Sequence, residues 1–374
     1  MTSISSQPFR FAVVGCGGPG KHHATGATYL TDDYTLCAGC DLNQAALKDF
    51  GEHFPQARLY TDLEAMLREE TPEVVAIATG AVPRGKLIRA LAQSGCVKGI
   101  FAEKPITVGY GEAKAAVEVC RQNGVALVVN HQRRMLPIFV KFRALLDAGV
   151  IGEPEHIVAS TPGDLLSDAT HLVDCIRHLL HDRPAQWVFG QIYRDMAEFR
   201  KRAEKGQMPE KADGTRFGHL VESGATALIE FEGQVRASLQ TGSFWQPVRH
   251  GYTHVEVHGT KGVLKRVGDQ GYEASITKAA LYLLNDDAPG WQPIHLENAM
   301  GYPEVRGLGR PECYGPFAKT IREGAPHPLS GDNALQTHEL VMAIYESARL
   351  RQKVPLPLTQ DAFPLDLMAE SGQL

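Results

Sequence analysis

The sequence lacks the features that mark membrane-bound, secreted and nucleic-acid-binding proteins. No apolar run approaches the ~20 residues that a helix needs to cross a bilayer. Residues 1–10 are polar and have no apolar core of a secretory signal. The net charge is −5, and the basic residues form no stripe of the kind that binds nucleic acid. We therefore expect a cytoplasmic protein whose partners include neither a membrane nor a nucleic acid.

The sequence also lacks a second closely spaced cysteine pair. Its seven cysteines are an odd number and lie inside apolar segments, where reduced, buried thiols are the usual state. Cys37 and Cys40 form a C-x-x-C, a spacing that redox and metal sites use. They fall on a predicted strand, however, where residues three apart point to opposite faces. A zinc site would need a further pair of ligands, so we expect no metal.

The 374 residues, 43% of them hydrophobic, are enough for two domains. In the first part, short apolar runs alternate with helical segments, and the runs themselves show no polar alternation. This pattern is typical of a parallel sheet that is covered on both faces. The predicted strands are 9–14, 35–40, 74–78, 100–102 and 125–129, and the predicted helices are 21–30, 43–53, 85–94 and 110–123. We predict an α/β domain over residues 1–130.

The pattern changes after residue 130. Strands are predicted at 155–160, 225–231, 235–241 and 254–258, and short glycine-containing turns such as 232–233 favour antiparallel hairpins. Helices are predicted at 137–148, around His171, at 316–323 and at 333–349. Residues 131–374 are therefore predicted to form an α+β domain with a mostly antiparallel, open sheet and helices on one face.

A glycine-rich segment follows the first predicted strand and fits G-x-G-x-x-G with Gly15, Gly17, Gly18 and Gly20. Glycines there allow a tight turn and a close backbone approach to a pyrophosphate, and the following helix offers free N–H groups. This is the arrangement of a dinucleotide-binding Rossmann domain. The alternative for these glycines is a plain turn.

Asp41 ends the second predicted strand, and an acid at that place accepts hydrogen bonds from the ribose hydroxyls and repels a 2′-phosphate. NAD is therefore expected, and NADP is disfavoured. The alternative for Asp41 is a helix N-cap or a solvated loop acid. His22 and His23 follow the glycine loop and face either the cofactor or solvent.

The order of several motifs resembles the glucose-fructose oxidoreductase, inositol dehydrogenase and MocA family from about residue 9 to about residue 358. Each motif alone is weak, but their ordered sum is specific for the family. They are the glycine loop, Thr79 after the strand at 74–78, Glu103-Lys104-Pro105, Arg133-Arg134 before Pro137, Gly149-x-x-Gly152-Glu153-Pro154, His171-x-x-Asp174, Gly259-Thr260-Lys261-Gly262, and the segment 343–348.

The resemblance implies hydride transfer between NAD(P) and a hydroxyl-bearing carbon of a sugar, inositol or related polyol. It implies that Lys104 binds the reacting hydroxyl and that His171 accepts its proton. Thr79 and the backbone of Glu103 and Pro105 would bind the cofactor. Substrate hydroxyls would be bound by Arg133, Arg134 and Asp174, with Trp245 and Arg216 near the pocket on position alone. Members of the family commonly pair through the open sheet, so a homodimer or homotetramer is expected.

The sequence departs from the family just before His171. Relatives often have an acid four residues before the histidine, whereas this chain has Ser167 there and Asp168 three residues before. Asp168 is therefore either a catalytic partner of His171 or an N-cap of a helix predicted over 168–181. On that prediction His171 lies in the first turn, where the helix dipole disfavours the imidazolium.

Two other functions remain open. One is a glycoside hydrolase that retains NAD and uses transient oxidation to drive elimination, as some relatives do. The other is a non-catalytic NAD-binding regulator, which the presence of Lys104 and His171 argues against.

Overall fold

The computed structural model describes residues 7–204, 206, 211–242, 253–267, 280–287, 290–294 and 309–374. The described residues divide into two compact units. The first comprises 7–107, 112–132 and 309–335, and the second comprises 108–111 and the other described residues from 133 onward. The sequence prediction assigned all of 131–374 to the second domain, whereas the chain leaves the first unit near residue 132 and returns to it at 309–335.

The first unit contains a parallel sheet with the strands β1 (Phe9–Val14), β2 (Tyr34–Cys40), β3 (Arg58–Tyr60), β4 (Val74–Ile77), β5 (Gly99–Ala102) and β6 (Ala126–Val129). Their order in the sheet is β3-β2-β1-β4-β5-β6. Every residue of β4 and β5 is buried, as expected for apolar strands that helices cover on both faces. The predicted Rossmann architecture is confirmed.

The second unit contains a sheet whose described part has the order β16-β15-β14-β13-β7-β12-β11-β8-β17. Only the pair β7 and β12 is parallel among these neighbours, so the mostly antiparallel prediction is confirmed. Its strands are β7 (Pro154–Thr161), β8 (Ala185–Tyr193), β11 (Gly224–Phe231), β12 (Arg236–Thr241), β13 (His254–Gly259), β14 (Gly262–Val267), β15 (Ala280–Asn285), β16 (Gln292–Ile294) and β17 (Val354–Pro355). A separate small hairpin joins β9 (Thr215–Arg216) to β10 (His219–Leu220).

The described helices are α1 (Gly18–Thr28), α2 (Gln44–His53), α3 (Leu63–Glu70), α4 (Ala81–Ala92), α5 (Tyr110–Gln122), α6 (Pro137–Asp147), α7 (Thr170–Leu179), α8 (Met196–Glu204), α9 (Pro311–Glu323), α10 (Gly331–Leu350) and α11 (Pro364–Glu370). Eight of the described helices overlap the predicted ones, whereas α3, α8 and α11 were not predicted. Single turns of 3₁₀ or π helix occur at Gln132–Met135, Leu165–Ala169 and Glu232–Gln234. None of the described helices combines the length and the apolar character that crossing a membrane requires.

Candidate active site

The turn after β1 accepts only glycine at two positions. Gly15 has φ +93°, and a Cβ on it would lie 2.8 Å from the backbone carbon of Ala78 and 2.9 Å from the nitrogen of Thr79. A Cβ on Gly20 would lie 1.9 Å from the carbonyl oxygen of Gly15. The loop is therefore folded tightly back on itself and against the end of β4, as a dinucleotide-binding turn requires.

Gly17 and Gly18 have the opposite environment. A Cβ on either would meet no atom within 4 Å, so the backbone here borders open space. Helix α1 begins at Gly18 with Gly17 as its N-cap residue. The first N–H groups of a helix have no partner within it and attract anions. This open helix end fits the pyrophosphate of NAD.

Asp41 supports the same loop from the end of β2. Its Oδ2 accepts the N–H of Cys16 at 2.7 Å, and its Oδ1 accepts the N–H of Asn43 at 2.8 Å. The N-cap of α2 is Asn43, whose side chain accepts the N–H groups of Ala45 and Ala46. The alternative that Asp41 caps this helix is therefore wrong.

Glu103, Lys104 and Pro105 follow directly on β5, and the Glu103 carboxylate is buried among donors. Its Oε1 accepts hydrogen bonds from Asn130 Nδ2 at 2.8 Å and from His23 Nε2 at 3.0 Å, and its Oε2 accepts the Lys104 N–H at 3.2 Å. Burial works to raise the pKa of Glu103, but the hydrogen bonds and charges around it outweigh burial and lower that pKa to about 2. His23 is thus fully buried rather than facing cofactor or solvent.

Arg84 links two of the predicted cofactor residues and was not identified from the sequence. Its guanidinium donates to the carbonyl oxygens of Thr79 and Pro105. The residue is 2% exposed, and burial lowers its pKa to about 10. Arg84 stands just before the helix predicted over 85–94, and nothing in the sequence indicated this role. In the structure it holds the segment after β4 and the segment after β5 at a fixed separation.

In the second unit, Arg134 and Asp174 form a buried ion pair with each other. Arg134 Nε and Nη2 donate to the two carboxylate oxygens of Asp174, both at 2.8 Å, and both side chains are 1% exposed. Arg134 also pairs with Asp182 at 2.8 Å, and Thr337 donates to Asp174 at 3.0 Å. These charges are engaged inside the unit, so the structure gives them a structural role beside the substrate role implied by the resemblance.

Arg133 differs from its neighbour. Its side chain is half-buried, and Nη1 donates to the hydroxyl of Thr253 at 3.0 Å. No carboxylate pairs with it among the described contacts. Of the two arginines, Arg133 therefore retains the more available guanidinium. Trp245, which the sequence placed near the pocket, lies outside the described residues.

Asp168 lies in a π-helical turn and does not cap a helix. The N-cap residue of this π turn is Asp164, whose side chain accepts the N–H of Ser167 at 2.6 Å. Asp168 instead pairs with Arg216 at 2.5 Å, and Arg216 also holds Asp164 at 2.6 Å. The N-cap alternative for Asp168 is therefore wrong. Arg216 is 3% exposed and fixes the turn that leads into α7.

His171 lies on α7 and is 4% exposed. The N-cap residue of α7, Ala169, already has helical backbone angles, and the π turn extends the helical run back to Leu165. His171 is therefore six residues into the run. The expectation that the helix dipole acts on it is wrong, because that effect falls off within the first turn.

Glu222 is a buried acid that sequence reasoning missed. It accepts the N–H of Leu165 at 2.6 Å and the hydroxyl of Tyr345 at 2.7 Å. Burial, followed by the nearby Asp164, raises the pKa of Glu222 to about 7. The acid therefore holds the start of the π turn from inside the unit, and no local pattern in the sequence indicated it.

Two family models match the chain. The model described as an oxidoreductase family with an NAD-binding Rossmann fold matches residues 9–131, and that of the same family's C-terminal alpha/beta domain matches residues 159–356. The chain belongs to the Gfo/Idh/MocA oxidoreductase family. The resemblance seen in the sequence is confirmed, and with it the prediction of an NAD-binding oxidoreductase.

Named relatives and solved structures agree with this membership. The chain is 27% identical to the D-apiose dehydrogenase of Paraburkholderia graminis over 99% of this chain and 96% of that protein. It is 28% identical to the inositol 2-dehydrogenase of Rhizobium meliloti over 93% of this chain and 99% of that protein. The WlbA dehydrogenase of Chromobacterium violaceum, crystallised with NADH and UDP-GlcNAcA, has a TM-score of 0.74 at 20% identity over 95% and 98% of the two chains. At that identity, the structural match shows a shared fold.

Asp41 is expected to set the cofactor preference of this family member. We expect NAD to bind at least about tenfold more tightly than NADP, because a carboxylate next to a 2′-phosphate is a costly like-charge contact. Asp41→Ala should reduce the difference between the affinities for NAD and NADP. Asp41→Asn is the matched variant, since its amide oxygen still accepts the Cys16 N–H while the charge is lost. Titrations of both cofactors measure the preference, and a parent protein that prefers NADP would refute it.

Asp168→Asn tests whether Asp168 also serves the reaction. The substitution leaves Asp164 to pair with Arg216 and keeps an amide oxygen at position 168, but it removes a charge that faces the buried Arg216, so we expect a modest loss of stability. If Asp168 balances the charge that forms on His171, turnover should fall about tenfold or more. Steady-state turnover and thermal unfolding are measured together. Parent-like turnover in this variant withdraws Asp168 from the catalytic residues.

Proposed function

We propose that the chain is an NAD-dependent dehydrogenase or reductase acting on a hydroxyl-bearing carbon of a sugar, inositol or related polyol. One observation carries this proposal. The carboxyl ends of β1, β4 and β5, which are neighbours in the sheet, bring the glycine loop, Thr79 and Lys104 to one edge. Ligands of α/β sheets bind at that edge. The dehydrogenases of D-apiose and inositol named above support the substrate class.

The chain's own residues supply the other parts of the reaction. A nicotinamide bound at this edge would supply the hydride acceptor or donor. The Lys104 ammonium stabilises the alkoxide that develops on the substrate oxygen. His171 accepts the hydroxyl proton, for which a neutral imidazole is suited. Glu103 and Pro105 hold the backbone on both sides of Lys104.

Of the two arginines, Arg133 is proposed to be the one that binds substrate hydroxyls. Its guanidinium is half-buried and bonded to a hydroxyl, whereas Arg134 is fully engaged by Asp174 and Asp182. A guanidinium that already satisfies two carboxylates has less to offer an uncharged ligand. Arg134 and Asp174 are then proposed to stabilise the surrounding structure without contacting the substrate.

The purified protein, incubated with NAD and a panel of sugars, inositols and glycosides, tests this proposal. We expect nicotinamide absorbance to rise with at least one free sugar or inositol as NADH accumulates. Release of sugar from a glycoside without NADH accumulation would instead support the NAD-retaining hydrolase. Cofactor binding without turnover on any compound would support the regulator.

Assembly into a homodimer or homotetramer is proposed through the open face of the second unit's sheet. This face exposes large apolar side chains, with Val158, Tyr193 and Phe189 at 37%, 39% and 42% exposure. A groove of about 570 Å³ on this face is lined by Val158, Phe189 and Leu228. An apolar sheet face of this kind is usually covered.

Light scattering at micromolar concentration is expected to give a mass of at least twice 40.8 kDa. Phe189→Asp should lower that mass, because it places a charge on the proposed contact face. Val140→Asp is the matched control, since Val140 is 53% exposed and lies on α6 rather than on a strand of the sheet. A 40.8 kDa parent would contradict the proposal.

A further inference from the structure

A chain of hydrogen bonds runs through the interior of the first unit from α9 to the Glu103 carboxylate. The Tyr314 hydroxyl lies 2.7 Å from His23 Nδ1, and His23 Nε2 lies 3.0 Å from Glu103 Oε1. Both His23 and Tyr314 are 0% exposed. Helix α1, which carries the glycine loop at its start, is thereby joined to the segment that carries Lys104.

The proton positions in this chain follow from the chemistry of its members. Glu103 is ionised, since its pKa is lowered to about 2, and an ionised carboxylate only accepts hydrogen bonds. His23 Nε2 must therefore carry the proton that faces Glu103. The Tyr314 hydroxyl lies at the other ring nitrogen, Nδ1, at 2.7 Å. The imidazole ring is therefore held on both sides, by Tyr314 and by Glu103.

We propose that His23 and Tyr314 are positioning residues for the reaction at Lys104. The Tyr314 hydroxyl holds the His23 ring at Nδ1, and His23 Nε2 holds the Glu103 carboxylate that accepts the Lys104 N–H. The proposal rests on the proposed function, because it assigns the reacting hydroxyl to Lys104. A fully satisfied buried chain is rigid, and a displacement of about 1 Å at a reacting group can cost about 10²-fold in rate.

A series at position 23 tests the hydrogen bonds themselves. His23→Leu removes both of them, whereas His23→Gln offers an amide N–H to Glu103 and an amide oxygen to Tyr314. We expect His23→Leu to lower kcat about 10- to 100-fold, the range of a lost hydrogen bond to a charged group. The KM for NAD should change little, because the glycine loop is intact. His23→Gln should recover most of the loss, and a glutamine variant no better than leucine would overturn the proposal.

Tyr314→Phe and Tyr34→Phe form a matched pair. Each removes one buried hydroxyl, but the Tyr34 hydroxyl donates to the backbone oxygen of Tyr314 and lies outside the chain to Glu103. The aromatic ring that remains in Tyr314→Phe would keep the stacking on Phe101, since the two ring centroids are 4.4 Å apart in the parent protein. We expect kcat to fall for Tyr314→Phe and to stay near the parent value for Tyr34→Phe. Equal losses in both variants would mean a merely structural role and would overturn the proposal.

The ring contacts are tested without any substrate by ¹⁵N NMR of the histidine ring, with the His23 signals assigned by their loss in His23→Gln. We expect Nε2 of His23 in the parent protein to carry a proton, because it faces the Glu103 carboxylate, and Tyr314→Phe to shift the Nδ1 signal. An Nε2 without a proton, or an Nδ1 signal that Tyr314→Phe leaves unchanged, would overturn the proposal. This result stands apart from the proposed function, which fails instead if no sugar or inositol is turned over.

Discussion

Lys104→Met should lower turnover by about 10²- to 10³-fold, the loss expected when a donor to a developing oxyanion is removed. NAD binding should stay near the parent value. The glycine loop and Asp41 do not depend on the Lys104 side chain, and Glu103 accepts the backbone N–H of residue 104 rather than the ammonium. Single-turnover kinetics and a cofactor titration measure the two quantities separately.

Lys98→Met is the matched control for this variant. Lys98 lies just before the other end of β5 and pairs with Glu73 at 2.7 Å, with its side chain 59% exposed. Removal of this exposed charge should leave turnover unchanged and cost little stability. Parent-like turnover in Lys104→Met would remove Lys104 from the site and with it the proposed role of the segment after β5.

Asp174→Ala should destabilise the protein by about 3–5 kcal/mol, the usual cost of leaving one partner of a buried ion pair without the other. Burial works to lower the pKa of Arg134, but Asp174 and Asp182 outweigh burial and raise that pKa. Arg134 therefore stays charged in the variant, with only Asp182 to balance it. Denaturant unfolding measures the loss.

Asp147→Ala is the control for Asp174→Ala. Asp147 pairs with Arg143 at 3.4 Å on the surface, with its side chain 45% exposed, and such pairs contribute about 0–1 kcal/mol. The substrate role implied by the family resemblance makes a different prediction for Asp174→Ala. If the variant unfolds like the parent but its KM for substrate rises sharply, Asp174 binds substrate directly.

Elements with a strong local pattern were predictable from the sequence. The strand Phe9–Val14 was predicted at its observed bounds, because its apolar residues end abruptly at the glycines. Helix α1 begins at Gly18 rather than the predicted residue 21, because the last glycines of the motif are themselves helical. Strand β3 was missed, since its three residues are mostly exposed at the sheet edge and carry no apolar run.

The partners of the site residues were much less predictable. Arg134 and Asp174 were identified as charged residues near the site, but nothing local indicates that they bind each other across 40 positions. His23 was recognised only as a histidine after the glycine loop, because Tyr314, its partner, is 291 positions away. The local sequence pattern indicates the face of a helix or strand on which a residue lies. The residue with which it forms a hydrogen bond or ion pair depends on the tertiary fold.

Net hydride transfer from a substrate carbon to NAD is the defining step of the proposed reaction. The most direct measurement uses the best substrate of the panel with deuterium on its oxidised carbon, followed by mass spectrometry of the released cofactor and product. We expect one deuterium in NADH for each ketone or lactone formed. An unlabelled cofactor, or deuterium recovered only in a hydrolysed product, would contradict it.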